Sequence, residues 1–397
     1  MNQPAIIGGT PVRETKLSYG RQYIDDKDIQ AVTEVLKSGY ITCGPKINEF
    51  EKKLCEITGA KYAVAVSNGT AALHLACMAI ELGEGDEIIT TPITFAASAN
   101  CALYCKAKPV FADINPETYN ISPASIREHV TPATKAVVAV DFTGQAVELD
   151  EIRSICDEYN LVLIEDAAHS IGTKYNNRPV GSIADMTTFS FHPVKTITAG
   201  EGGAITTNNE NLYRKLLRLR AHGITRNTEE MVNVNDNPWY YEEVELGYNY
   251  RLTDFQAALA ASQLDKLPAF SKRRKEIVAR YNEAFKDLPE IIIQKEIPES
   301  DTTRHLYIIQ LNLELLNCNR RDFFDALCAE NIYPQVHYIP VYYHSHYEKL
   351  GYQKGICPAA EHLYERIITI PLFYSMTDQD VEDVIHAVNK LVAYYKK

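Results

Sequence analysis

The sequence lacks several features that would each mark a common function. It contains no Gly-Lys dipeptide, so the Walker A loop of phosphate-transferring nucleotidases is absent. None of its nine cysteines forms a Cys-x-x-Cys pair, and the nearest spacing, Cys101 and Cys105 in CALYC, has no histidine or second pair beside it. The cysteines therefore read as reduced core thiols of a cytosolic protein, not as disulfides or zinc ligands. His344 and His346 in HSH have no third ligand at a sensible spacing, so no metal is expected. No uncharged apolar run is long enough to cross a bilayer, and MNQPAIIGGTPVRETK has no basic start followed by an apolar core. Both absences predict a cytoplasmic chain that is neither exported nor held at a membrane. Positive charge is also scarce: 52 acidic residues outnumber 40 basic ones for a formal charge of −12, and no Lys/Arg block stands out. A phosphate-backbone binder needs a basic face, so nucleic acid is excluded as a partner. SKRRKE, ending at Glu276, reads as a solvated helix face.

What is present is a chain able to bury a large core, with 397 residues and 46% hydrophobic content. From Lys61 onward, short β-branched runs alternate with amphipathic stretches, which predicts α/β layering on a mostly parallel sheet. KYAVAVS, DEIITT, KPVFADI, KAVVAVDF, LVLIED, MTTFSF and GGAITTN read as strands. TAALHLACMAIEL, ELDEIRSICDEYN and NENLYRKLLRLRAHG read as helices, the last closed by Gly223. Near Arg251 the texture changes to one or two long helices interrupted at Pro268, a natural hinge. HLYIIQLNL, NRRDFFDALCAEN and TDQDVEDVIHAVNKLVAYYKK then predict a smaller α+β domain. The expected division is an arm over 1–20, a large domain over 21–265 and a small domain over 266–397. The loop from Arg226 to Tyr241, which carries the only tryptophan, reads as a mobile flap.

Three motifs carry chemistry. In LVLIEDAAHS, four apolar residues run into Glu165 and Asp166 at the carboxyl end of a predicted strand, where open α/β sheets bind ligands. In SNGTAALHL, a strand stops at Ser67 and a helix opens near Thr70, so small residues leave the first helical N–H groups free for an anion. In SFHPVKTITAGEGG, Ser190 ends a strand and Lys195 follows within a loop rich in hydroxyl and amide donors. GEGG precedes a strand and opens no helix, so it is not a dinucleotide fingerprint. A lysine, a carboxylate and a phosphate cradle on one sheet edge are the three partners pyridoxal phosphate needs.

SNGTAALHL, TPITFAASAN, VLIEDAAHSIG, SFHPVKTITAGEGG and LGYNYRLTDFQAAL together resemble the successive motifs of the DegT/DnrJ-type sugar aminotransferases, over nearly the whole chain. The resemblance implies the aspartate-aminotransferase fold (fold type I) as a homodimer, with pyridoxal 5'-phosphate as cofactor and L-glutamate as amine donor. It implies that Lys195 condenses with the cofactor's aldehyde and that Asp166 holds the pyridine nitrogen. Phe95 would stack on the ring and His169 would lie near the ring oxygen. Asn68, Gly69, Thr70 and Ser190 would hold the phosphate, with Asn249 of GYNYRL reaching from the other subunit. LSYGRQYID, HGITRN, PWYYE and QVHYIPVYYH are most similar to transaminases of pseudaminic acid synthesis, which implies amination at C4 of a UDP-4-keto-6-deoxy-N-acetyl sugar. Tyr19, the turn Gly39, Tyr40, Ile41 and Thr42, and His337 with Tyr338 would meet that sugar nucleotide. Cys43, Asp141 and Tyr342-Tyr343 depart from the family pattern; Asp141 stands where a histidine is common. Bacillosamine- or perosamine-type 4-keto sugars are the alternative substrates. A deoxysugar dehydratase ranks lower because that branch has histidine in place of the lysine, and a non-catalytic regulator ranks lower still.

Overall fold

The computed structural model describes residues 3–397 apart from 234 and 236. Its centre is a seven-stranded sheet of β1 (Tyr62–Val66), β2 (Glu87–Thr90), β3 (Lys108–Phe111), β4 (Thr134–Val140), β5 (Val162–Asp166), β6 (Met186–Ser190) and β7 (Gly203–Thr207), in the order β1-β7-β6-β5-β4-β2-β3. Neighbours from β6 to β3 run parallel, while β7 is antiparallel to both β1 and β6. The strands are apolar runs without alternation because both faces are covered, as parallel sheets require. One face buries Phe50, Val137, Leu163 and Phe189, and the other buries Val64, Leu75, Val138 and Ile164. All seven strands match the runs read from the sequence. The helices α1 (Gly69–Ala79), α2 (Ala97–Tyr104) and α3 (Leu149–Tyr159) lie between strands, and α4 (Glu210–Leu219) follows β7.

Beyond β7 lie α5 (Asp254–Leu264) and α6 (Leu267–Phe285). The break falls at Asp265–Lys266, two residues before the expected interruption, and Pro268 sits in the first turn of α6. A first-turn N–H has no intrahelical acceptor, so proline costs nothing there. A second, antiparallel sheet of β8 (Ile291–Ile293), β9 (Tyr307–Leu311) and β10 (Ile367–Ile370) is ordered β8-β9-β10. With α6, α7 (Arg320–Ala329) and α8 (Asp378–Tyr395) it encloses a separate core around Tyr281, Ile309, Phe323 and Leu391. Leu17 joins this core, and Leu17–Ser18 pairs in parallel with Ile332–Tyr333. The N-terminal segment is thereby stitched to the smaller unit. No helix among the described residues is long and apolar enough to cross a membrane.

Three local expectations need correction. Helix α4 stops at Leu219, and Gly223 closes the turn beyond it, its N–H donating to the Arg218 carbonyl at 2.8 Å. SKRRKE is not wholly solvated, because Arg274 is buried and donates to the carbonyls of Arg304, His305 and Leu372. All nine cysteines are free, yet Cys43 is exposed on the surface and lies in no core. Of the loop from Arg226 to Tyr241, residues 234 and 236 lie outside the described residues.

Candidate active site

The carboxyl ends of β4, β5 and β6 open onto a cavity of about 930 Å3. Tyr19, Asn68, Gly69, Thr70, Phe95, Asp166, His169, Ser190, Lys195, His337 and Tyr338 all line it. Eleven of the residues singled out from separate stretches of sequence thus meet in one place.

Asp166 ends β5 and is 4% exposed. Its Oδ2 accepts from Ser98 Oγ at 2.6 Å, and its Oδ1 accepts from the Ala168 N–H at 3.2 Å. Ser98 Oγ is in turn 2.8 Å from Thr94 Oγ1. Burial pushes the carboxyl up, while the Ser98 hydroxyl, the Ala168 amide and the charge of Lys195 pull it down. Lys195 follows β6 at the end of a tight turn closed by its own N–H donating to the His192 carbonyl at 2.9 Å, and it makes no side-chain ion pair among the described residues. Desolvation lowers its amine from 10.5 to about 8, against the opposing pull of Asp166. An amine in that range exchanges its proton near neutral pH, as a proton carrier must.

The segment expected to cradle an anion lies where α1 begins. Asn68 caps the helix, its side chain accepting from the Ala71 N–H at 2.8 Å. A Cβ on Gly69 would stand 2.9 Å from Ser190 Cβ, and a Cβ on Gly203 would stand 2.5 Å from the Asn68 carbonyl oxygen. Both glycines are therefore required by close approach: Gly203 admits the turn and Gly69 admits Ser190 beside the helix start. Phe95 is 63% exposed although it borders the cavity, so its ring has a face free for a flat partner.

On the far wall, His169 Nε2 lies 3.2 Å from the Tyr338 hydroxyl, and the His169 and His305 rings are 4.5 Å apart. Burial first, and the charge of Lys195 next, drive His169 well below its ordinary value. The same causes take His337, whose Nδ1 lies 2.9 Å from Thr369 Oγ1, down to about 3. These imidazoles are neutral at physiological pH, so they contribute hydrogen bonds and no charge.

Other assignments lie elsewhere in the single chain. Gly39, Tyr40, Ile41 and Thr42 are exposed and outside their own chain's cavity, with Tyr40 and Ile41 more than half exposed. Asn249 is also exposed and outside it, although its neighbours Tyr248 and Tyr250 line the wall beside His74 and Tyr104. Tyr342 is buried against Phe111, with its hydroxyl on Glu361, so that departure does not touch the cavity. The sequence reading missed His74, Tyr104, Tyr248, Tyr250 and His305, and it missed the Thr94–Ser98 support of Asp166.

The match to the DegT/DnrJ/EryC1/StrS aminotransferase family extends over residues 22–389. The chain belongs to that family. Among its relatives, it is 42% identical to the spore coat polysaccharide biosynthesis protein SpsC of Bacillus subtilis, over 95% of this chain and 97% of that one. It is 39% identical to a UDP-4-amino-4,6-dideoxy-N-acetyl-beta-L-altrosamine transaminase of Campylobacter jejuni, over 96% and 99%. Among solved structures, Helicobacter pylori PseC, an aminotransferase of pseudaminic acid biosynthesis, superposes with a TM-score of 0.89 at 32% identity, covering 96% of this chain and 100% of that one. The PLP form of the sugar aminotransferase Spr1654 from Streptococcus pneumoniae does so with 0.88 at 30% identity, covering 96% and 99%. The protein is accordingly a PLP-dependent sugar aminotransferase with the fold of these neighbours, as its motifs imply. The site suits the cofactor: a desolvated amine, a buried acid, an exposed aromatic ring and a glycine-lined helix start that leaves no room for a Cβ.

Proposed function

We propose that this enzyme transfers an amino group from L-glutamate to C4 of a UDP-4-keto-6-deoxy-N-acetylhexosamine, in a cytoplasmic homodimer. Lys195 is the observation that carries the catalytic part of the reading: a desolvated amine on the same cavity wall as a buried carboxylate. Pyridoxal phosphate, when bound, supplies an electron sink for breaking a C–H bond next to nitrogen. Lys195 Nζ would take the proton from Cα of the donor and, in the second half, deliver one to C4 of the sugar. Asp166, fixed by Ser98, would hold the pyridine nitrogen, and Asn68, Gly69, Thr70 and Ser190 would hold the phosphate. Phe95 and His169 would bound the ring. Tyr19, His337 and Tyr338 would orient the sugar, while Gly39–Thr42 and Asn249, exposed on their own chain, would serve the partner's site. The likeness to PseC and to the altrosamine transaminase supports the choice of sugar.

A second reading is transfer to another 4-keto-6-deoxy nucleotide sugar of bacillosamine or perosamine type; the chain is 42% identical to SpsC, whose name assigns no altrosamine product, against 39% for the altrosamine transaminase. Amine transfer from glutamate to a panel of such substrates, with product stereochemistry read by NMR, separates the two. The expected product has the amino group at C4 in the β-L-altro configuration. Turnover confined to a D-configured 4-keto sugar would displace the first reading in favour of the second.

A further inference from the structure

Beneath Asp166, on the opposite face of the sheet, two acids are buried together. Glu165 precedes Asp166 on β5, and Asp141 follows the end of β4; both are 0% exposed. Alternation along the strands sends Glu165 away from the cavity that Asp166 faces. The register pairs Ala139 with Glu165 and Val140 with Asp166, and the Asp141 N–H donates to the Asp166 carbonyl at 3.1 Å. The two side chains face each other across the strand ends, close enough for a hydrogen bond between them.

The surrounding donors fall short by one. Asp141 Oδ2 accepts from Ser170 Oγ at 2.5 Å, and Oδ1 accepts from the Val147 N–H at 3.0 Å. Glu165 Oε2 accepts from Thr187 Oγ1 at 2.8 Å and the Gly181 N–H also bears on this carboxyl, while Oε1, fully buried, is left without a hydrogen bond. No cation lies within ion-pair distance of either carboxyl among the described residues. Of the charged groups packed nearby, Asp166 adds to the negative charge, Arg304 is committed to Glu296, and His169 and His305 are neutral. Two ionised carboxylates without a cation in a dry site are strongly unfavourable, and a proton between them both removes one charge and supplies the missing donor.

We propose that Asp141 and Glu165 retain one shared proton at neutral pH and act as a positioning pair, fixing the turn from Asp166 to Ser170 that carries Asp166 and His169 into the active site. Ser170 is the link, since its hydroxyl is held by Asp141 one residue after His169. The proposal concerns the support of the site and stands independently of which sugar is aminated.

Burial raises both carboxyls, Glu165 from 4.5 to about 7 and Asp141 well above its ordinary value. The sign of the linkage follows: the unfolded chain gives up these protons at ordinary carboxyl values, whereas the folded pair keeps one. The stability contributed by the pair is complete below the unfolded values and is lost as pH rises toward and through the folded ones. Asp141→Asn replaces the proton by an amide N–H that can donate to Glu165 at any pH, and Glu165→Gln does the same from the other side. The test is thermal unfolding of the holoenzyme against pH for wild type and both variants, with infrared spectra at neutral pH. Either variant should gain Tm relative to wild type progressively as pH rises, and a protonated-carboxyl C=O band of the wild type should be missing from both. Tm curves parallel to wild type would overturn the proposal. If neither variant folds, absence of that band from the wild-type protein at neutral pH would overturn it equally, and its presence would support it.

Discussion

Lys195 is set by a conflict between burial and charge. Desolvation favours the neutral amine, and Asp166 favours the ammonium; burial is the larger cause and leaves the group at about 8. In the folded apoenzyme the free amine therefore accumulates above about pH 8, where an unperturbed lysine would need a pH above about 10. We expect the rate at which added pyridoxal phosphate forms its absorbance band with apoenzyme to rise through a midpoint near 8. A midpoint near the ordinary lysine value would mean that the cavity does not desolvate the amine. Asp166→Asn removes the charge that holds Lys195 up, so the same midpoint should move lower. Turnover in that variant should fall by about 10²-fold, because an amide cannot stabilise a protonated ring nitrogen, while cofactor binding persists. Turnover equal to wild type would make the carboxylate purely structural.

At the level of elements, function concentrates at strand ends and one helix start. The junction of β1 and α1 holds its amides open because Gly69 and Gly203 let three segments approach more closely than any Cβ permits. Gly69→Ala should leave the sheet intact, since the clash is with the Ser190 side chain and not with a ladder hydrogen bond. Its cofactor affinity, measured by equilibrium dialysis, should fall by about tenfold or more, equivalent to about one charge-assisted hydrogen bond. Unchanged affinity would show that the phosphate sits elsewhere. The strands and this helix start were legible in the sequence because their signals are contiguous: apolar runs ending in Glu165-Asp166, and SNGT opening a helix. Ser98 under Asp166, His305 against His169 and Tyr248 beside His74 were not, because each pairing joins residues distant in sequence whose neighbours alone would read as ordinary packing. Pro268 misled for a related reason. Proline breaks a helix interior but fits a first turn, and only the tertiary position of α6 decides which applies.

At the scale of the whole molecule, the proposal of a shared site rests on what a single chain leaves exposed. Tyr40, Ile41, Phe95, Trp239 and Leu246 are each more than half exposed, and Tyr40, Ile41 and Phe95 are themselves among the residues assigned to substrate or cofactor. Along GYNYRL, Tyr248 and Tyr250 line their own chain's cavity while Asn249 between them does not, which suits a residue that serves a neighbour. If Asn249 completes the partner's phosphate cradle, Lys195→Ala and Asn249→Ala chains should complement each other. In a mixed dimer one site would carry both lesions and the other neither, so restoring one intact site per heterodimer. Random exchange of equal amounts of the two variants makes half of all dimers mixed, and one of their two sites is intact. Activity should then recover to about a quarter of wild type, far above either variant alone. Subunit exchange is to be verified by native mass spectrometry. Confirmed exchange with no recovery, while Asn249→Ala alone is clearly impaired, would mean that Asn249 acts within its own chain and that the shared site is wrong.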